Sequence, residues 1–321
     1  MGDSTLHQPI APACGQAYQR RTLGRTGIRI RPLGFGGGPI GGSGNAWSYG
    51  STCESESERA VQEALARGCE FFDTADVYGV GRSESVLGRA LRGSRPEVVI
   101  ATKIGYDLHG TNGMPRFEPG YLRKALEGCL ERLRTDWIDV LQLHNPPLGA
   151  AGDDCVRSLL EKFREEGKVR WLGVSAASVA DAVELVDLEW IDTLQVRFHL
   201  LEPEALWRVF PSARKRKVGI IAREPLANGF LTSKDYGQQG FPAGDFRGTW
   251  NQATRQRIVR SAGCLRTALP NGDSLTQSAL RFALSGEGVS VVIVGCKTAA
   301  QVRENFGVLG SAYGDESEGE Q

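Results

Sequence analysis

Four residues of different chemistry stand at or just past the ends of short apolar runs. Phe71-Phe72 leads into Asp73, and Tyr78 follows within Asp73-Thr74-Ala75-Asp76-Val77-Tyr78-Gly79. Val98 to Ala101 leads toward Lys103, and Val140 to Leu143 leads into His144. A phenol with its ordinary pKa of about 10 is a poor acid at neutral pH, but an adjacent ammonium stabilises the phenolate and brings that pKa down. Lys103 can be that ammonium. A buried lysine needs a carboxylate to keep its charge, and Asp73 can supply one. His144 can hydrogen-bond the substrate oxygen that Tyr78 would protonate. The four together make a proton donor for a carbonyl oxygen, and such a site completes a reduction only if a hydride source lies alongside. Taken singly, each has an ordinary structural explanation: a turn cap for Asp73, turn packing for Tyr78, a solvated strand end for Lys103, a satisfied core histidine for His144. Their joint occurrence within the first four strand-and-loop units favours chemistry.

These side chains need a scaffold that brings strand ends together. Thr22 to Ile30 alternates around Gly24-Arg25-Thr26-Gly27 and predicts a hairpin. Strands are then predicted at Arg31 to Gly36, Glu70 to Asp73, Glu97 to Lys103, Asp139 to His144, Val169 to Ser175, Thr193 to Phe198, Val218 to Arg223 and Val289 to Val294. Helical spacing follows each one: Ser55 to Arg67 with a Ser55-x-x-Glu58 capping box, Ser83 to Leu91, Pro119 to Leu133, Val156 to Glu166 closed by Gly167, Val179 to Leu185, Glu204 to Lys217, Thr276 to Ser285 and Ala299 to Val308. The seventh strand opens into a long connection reaching about Leu275, with Gln252 to Leu269 helical. Eight continuous apolar strands, each with a crossover helix, predict a closed (β/α)8 barrel. An open doubly wound sheet is the alternative. A barrel gathers all its strand ends at one mouth, and Asp73, Lys103, His144, Ser175, Gln195 and Arg223 fall at or near six of them. A doubly wound sheet would concentrate its site at one switch point. Gly36-Gly37-Gly38-Pro39-Ile40-Gly41 has the spacing of a dinucleotide fingerprint, but Pro39, Gly41, Gly42 and Gly44 prevent the helix such a fingerprint requires.

Length and composition fit one catalytic domain over residues 20–310, with a disordered leader at 1–19 and a disordered acidic tail at 311–321. Lysine plus arginine equals aspartate plus glutamate, 38 of each, so nothing calls for nucleic acid or a membrane surface as partner. The basic run Arg214-Lys215-Arg216-Lys217 reads as a solvated helix end. Seven scattered cysteines without a C-x-x-C pair suit a reducing cytosol and no structural metal, with Cys296 notable for lying in a candidate ligand loop. No secretory signal and no spanning apolar run is visible, so a cytoplasmic location is expected.

The motifs resemble the aldo-keto reductase family. Asp73-Thr74-Ala75 through Tyr78-Gly79, with Ser83-Glu84 and Leu87-Gly88, match its first signature, and Lys103 and His144 occupy the remaining positions of its tetrad. The resemblance runs from about Leu23 to Val308, and Phe241 to Arg247 is similar to the bacterial stress-protein branch. It implies a barrel without a Rossmann domain that binds NADPH, or NADH, extended across the mouth. It implies Tyr78 as general acid, Lys103 and Asp73 as its tuning pair and His144 as the group that orients substrate. Ser175 and Gln195 then fall where the family holds the nicotinamide carboxamide, although Ala176 stands where an Asn is usual. Arg223-Glu224-Pro225-Leu226-Ala227-Asn228-Gly229-Phe230-Leu231-Thr232 is similar to the loop that crosses the pyrophosphate. Gly295, Lys297, Thr298, Gln301 and Asn305 match the adenosine end, with Lys297 suited to a 2′-phosphate at a helix N-terminus. The expected reaction is reduction of an aldehyde or ketone, or its reverse on a sugar or pyridoxine-like alcohol; a nucleotide-binding regulatory subunit with little turnover is the alternative. Trp47, Tyr49, Tyr236, Phe241, Phe246 and Trp250 are candidate walls of the substrate pocket, or else the packing of their own loops.

Overall fold

The chain is described here from a computed structural model covering residues 18–43, 48–107, 113–234, 236, 240–269 and 274–310. The leader falls outside these residues except for its last two positions, and the acidic tail and Trp47 fall outside entirely. Strands β1 (Arg21–Thr22) and β2 (Arg29–Ile30) pair antiparallel around a short 3-10 turn, as the sequence predicts. Strands β3 (Leu33–Gly36), β4 (Phe71–Asp73), β5 (Val99–Ile104), β6 (Ile138–His144), β7 (Val169–Ser175), β8 (Thr193–Arg197), β9 (Gly219–Arg223) and β10 (Val289–Gly295) are parallel and close on one another, β10 pairing with both β9 and β3. This is the predicted barrel, not the open sheet.

Alternation along the strands decides which side chains reach the interior. Phe71, Ala101, Val140, Ile221, Val291 and Ile293 pack together inside the barrel, with Leu23 and Ile30 of the hairpin in the same cluster. Their neighbours Phe72, Ile100, Leu141, Ile220 and Val292 belong to the larger core between strands and helices. Successive side chains on a strand point to opposite faces. Asp73 therefore follows Phe71 inward, Lys103 follows Ala101, His144 follows Val140, and Arg223 follows Ile221. Thr102 points outward, away from the barrel axis, and donates to Glu84 at 2.6 Å.

The surrounding helices are α1 (Glu54–Ala66), α2 (Arg82–Ala90), α3 (Pro119–Leu133), α4 (Leu148–Ala151), α5 (Asp154–Glu165), α6 (Val179–Leu185), α7 (Ala205–Arg208), α8 (Phe210–Arg216), α9 (Gln252–Ala268), α10 (Leu275–Ser285) and α11 (Ala299–Phe306). Two local expectations are corrected. The capping box does not form: Cys53 occupies the N-cap of α1, and Glu58 reaches across to Arg89 of α2 at 2.6 Å instead of turning back. The predicted helix from Glu204 to Lys217 is two helices that meet at Val209, because Pro211 has no amide to continue a hydrogen-bonded run. Gly167 does adopt the left-handed conformation, φ +72°, that ends α5.

The glycine-rich loop after β3 is explained by packing. A Cβ on Gly41 would lie 2.7 Å from the Tyr78 carbonyl carbon, and one on Gly79, itself at φ +63°, would lie 2.0 Å from the Gly41 oxygen. The two backbones touch there, which fixes the turn carrying Tyr78 against the first loop.

Candidate active site

The four sequence-predicted residues meet at the carboxyl ends of the strands. Lys103 Nζ donates to Asp73 Oδ2 at 2.6 Å, to the Thr74 carbonyl at 2.7 Å and, more loosely, to Tyr78 Oη at 3.5 Å. Its ammonium lies 5.0 Å from the centre of the Tyr78 ring. His144 stands edge-on to Tyr78 with centroids 5.8 Å apart, and edge-on to Tyr106 at 5.0 Å. Asp73, Lys103 and His144 are all buried.

Burial sets the electrostatics. It holds the His144 imidazole well below its ordinary range, with Lys103 and Arg223 acting in the same direction, so the ring is neutral at pH 7 and donates a single N–H. The Lys103 ammonium is lowered by burial and supported by Asp73. Burial, followed by the Asp73 carboxylate, holds the Tyr78 phenol above its usual value, and Arg223 pulls it down. Arg223 is thus the cation that draws the phenol down, whereas Lys103, expected from the sequence to do so, is committed to Asp73 at 2.6 Å and lies 3.5 Å from the Tyr78 hydroxyl.

Gln195 and Ser175 take inward positions, but their partners are other residues of the site. Gln195 Nε2 donates to Asp73 Oδ1 at 2.7 Å, and Ser175 Oγ donates to Gln195 Oε1 at 3.5 Å. Gln142 Nε2 lies 3.4 Å from the same Asp73 oxygen. Gln142 was not foreseen, yet it sits two residues before His144 and so shares its face. Arg197 and Asn145, which line the same cavity, were also missed. Arg197 lies two residues past Gln195, and strand parity alone would have found it.

A cavity of about 470 Å³ opens over Asp73, Tyr78 and His144, walled by Tyr49, Asn145, Arg197, Glu224, Phe246 and Trp250. A second, of about 400 Å³, extends over Pro225, Leu226, Gly229, Gly295, Lys297, Gln301 and Asn305. Pro39, Tyr49, Glu224, Asn228 and Gly295 line both, so the two form one elongated trough. Tyr49 Oη donates to Asn228 Oδ1 at 2.6 Å at the junction. Of the aromatic candidates, Tyr49, Phe246 and Trp250 face the first cavity and Tyr236 the second, whereas Phe241 stacks on Tyr236 within its own loop.

The positions expected at the far end are differently engaged. Lys297 Nζ donates to the Tyr49 carbonyl at 2.6 Å and weakly to that of Ser51 at 3.4 Å. Thr298 caps α11 by accepting from the Gln301 amide at 3.2 Å, and Gln301 Oε1 accepts from the Lys297 amide at 2.7 Å. Asn305 donates to Cys296 Sγ at 3.2 Å. Cys296 is buried, and burial pushes its thiol up to about 12, so it is an inert packing residue. The Leu231 side chain is buried in the core between barrel and helices, leaving only its backbone for the trough. Arg223 donates to the Ala176 carbonyl at 3.0 Å and pairs with Glu224. The guanidinium thus ties to the backbone of Ala176.

Comparison with known proteins agrees with this geometry. The profile of the Aldo/keto reductase family matches residues 32–317. The chain belongs to that family. This aldo-keto reductase is 29% identical over 298 residues to an L-galactose dehydrogenase of Arabidopsis thaliana, covering 90% of this chain and 87% of the plant protein. It is 30% identical over 274 residues to the NADP(+) aldo-keto reductase yakc of Schizosaccharomyces pombe, covering 81% and 80% of the two chains. Among solved structures, the holo form of the aldo-keto reductase AKR11C1 from Bacillus halodurans superposes with a TM-score of 0.75 at 25% identity, over 92% of this chain and 91% of the other. The glycerol dehydrogenase AKR11B4 from Gluconobacter oxydans gives 0.75 at 26% identity, with the same coverage. The family is an oxidoreductase class that reduces carbonyls with NADP(H), and bacterial members stand among its structural neighbours here. No helix among the described residues is long and apolar enough to cross a membrane.

Proposed function

We propose that this chain is an NADPH-dependent carbonyl reductase in which Tyr78 is the general acid. The observation that carries the reading is the junction of Asp73, Tyr78, Lys103 and His144 at one end of a trough whose other end holds the half-buried ammonium of Lys297. The trough fits an extended dinucleotide. Its polar groups suit the two ends, with Ser175 and Gln195 near the tetrad and Lys297 with its backbone loop at the anionic end. Bound there, the cofactor supplies a hydride to the carbonyl carbon.

The protein's own part is to place and charge the carbonyl oxygen. Neutral His144 donates an N–H to that oxygen and aims it at Tyr78. As negative charge develops, the Tyr78 proton passes to it, completing the alcohol. The phenolate left behind is within reach of the Lys103 ammonium at 3.5 Å and in the field of the Arg223 guanidinium. Asp73 stays off the substrate, since its oxygens are occupied by Lys103, Gln195 and Gln142.

The substrate cavity sets apolar Phe246, Trp250 and Tyr49 against Asn145, Arg197 and Glu224. Aromatic rings sharing one cavity with an amide, a guanidinium and a carboxylate suit a small carbonyl compound carrying hydroxyls, such as a sugar. The relatives named for L-galactose and glycerol are in keeping with this reading. The described cysteines are all free, which supports a cytoplasmic location.

The test is loss of NADPH absorbance with a panel of aldehydes, ketosugars and pyridoxal. Steady oxidation with at least one member is expected, and binding of NADPH with no turnover on any of them overturns the reading. Lys297→Ala is expected to weaken NADPH binding by about 10–100-fold, the worth of a charged hydrogen bond, and to leave NADH affinity nearly unchanged. Equal losses for both nucleotides would remove Lys297 from the 2′-phosphate.

A further inference from the structure

Asp76 is fully buried, two residues before Tyr78 and three after Asp73. Its backbone amide donates to the Lys103 carbonyl at 3.0 Å, which fixes the loop to β5. Among the described residues neither of its carboxylate oxygens meets a donor of good hydrogen-bond geometry, and the amide of the adjoining Val77 gives only weak support. Its immediate neighbours Ala75 and Val77 form a small apolar cluster with Tyr106, against which Tyr78 packs.

The surrounding charges are already matched. Lys103 gives its hydrogen bonds to Asp73, Thr74 and Tyr78. On the outer side, Glu84 of α2 accepts from Thr102 of β5 at 2.6 Å and from Arg132 of α3 at 2.7 Å. Asp76 lies within electrostatic reach of Glu84, Arg132 and Lys103, and also of Tyr78, Tyr106 and Cys129. That neighbourhood contains two carboxylates paired with two cations, and a third carboxyl left over. A charged carboxylate in such a place is costly unless paired, and the group protonates instead.

We propose that Asp76 is a positioning residue held as a neutral carboxylic acid, and that its neutrality keeps the Lys103 ammonium committed to Asp73 and Tyr78. Ionised Asp76 competes for Lys103 and draws it from the phenol. Burial first, and the Glu84 carboxylate second, hold the group well above the ordinary carboxylate range; Arg132 opposes them. The sign of the stability effect follows. A carboxyl whose folded pKa is raised adds stability that is fully present below its unfolded value of about 3.9, and that stability is lost as pH rises toward the folded value.

The inference rests on the catalytic reading only for its effect on turnover, so a test of stability separates the two. Asp76→Asn keeps the shape and removes the titration. Thermal melting of wild type and variant is followed from pH 4 to pH 9. The variant is expected to lack the wild type's decline over this range and to melt at least about 2 °C higher at pH 8. The kcat/KM profile of a reducible carbonyl is expected to keep more of its alkaline limb in the variant. Identical pH dependence of melting in the two proteins, or a variant less stable at every pH, overturns the proposal. If Asp76→Asn does not fold, infrared titration of the wild type decides: a protonated-carboxyl band persisting at pH 8 supports it, and loss of all such bands by pH 6 overturns it. Absence of turnover with altered melting would overturn the reductase reading and leave neutral Asp76 standing.

Discussion

Tyr78→Phe is expected to lower kcat/KM for carbonyl reduction by about 10²–10⁴-fold, the usual worth of a positioned general acid, while nucleotide affinity and stability stay near wild type. The separation follows from what the side chain does in the fold. Its ring packs edge-on against His144 at 5.8 Å and joins the Ala75, Val77 and Tyr106 cluster, and phenylalanine keeps all of this. Only the hydroxyl goes, and with it a 3.5 Å contact from Lys103. Lys103 remains satisfied by Asp73 and Thr74, so no buried charge is stranded. The loss should therefore fall on kcat, with NADPH binding measured by fluorescence unchanged. A variant retaining more than half of wild-type kcat/KM would show that the proton comes from elsewhere, and His144 would be the next candidate to test. His144 starts at a disadvantage. Its imidazole is held neutral by burial and by two cations, which makes it a hydrogen-bond donor and a reluctant source of a second proton.

Much of this site was legible in the sequence, because strand parity and the barrel rule are both local. Once apolar runs end in Asp73, Lys103 and His144, a closed parallel barrel leaves them only one mouth to share. The same parity points to Gln142 and Arg197, which carry no motif of their own and do not sit at the end of an apolar run. What was not legible is pairing. Nothing in the spacing of Gln301 and Thr298 says that one accepts the Lys297 amide and the other caps the helix, since both bonds depend on where the backbone turns. The broken helix before β9 is a related case: apolar periodicity ran through Val209, and only the missing amide of Pro211 divides it. Asp76 escaped for the opposite reason. It lies within the best-matched motif, and its distinction is that among the described residues its carboxylate oxygens meet no side-chain donor, which only three dimensions reveal.

Separating the Asp73–Lys103 pair should destabilise the protein by about 3–5 kcal/mol, the cost of leaving one member of a buried ion pair behind. Lys103→Met leaves the Asp73 carboxylate with two glutamine amides and no cation in contact, and Asp73→Asn leaves an ammonium against the Thr74 carbonyl. The double variant Asp73→Asn/Lys103→Met carries neither orphan charge, so its loss should fall short of the sum of the singles by about 1–3 kcal/mol. Urea unfolding at pH 7 measures all four proteins. The pH dependence of Asp73→Asn adds an independent check on the cause. Burial already lowers the Lys103 pKa, and Asp73 is the strongest influence holding it up. Without Asp73 the ammonium sheds its proton more readily in the folded than in the unfolded chain. Between its lowered value and about 10.4, the unfolded state then binds more protons, and stability rises with pH. Asp73→Asn should accordingly recover part of its loss between pH 7 and pH 9.5, whereas the double variant, with no lysine to titrate, should not. If the single and double variants respond alike to pH, the cost comes from lost packing, and the charge argument for this pair fails.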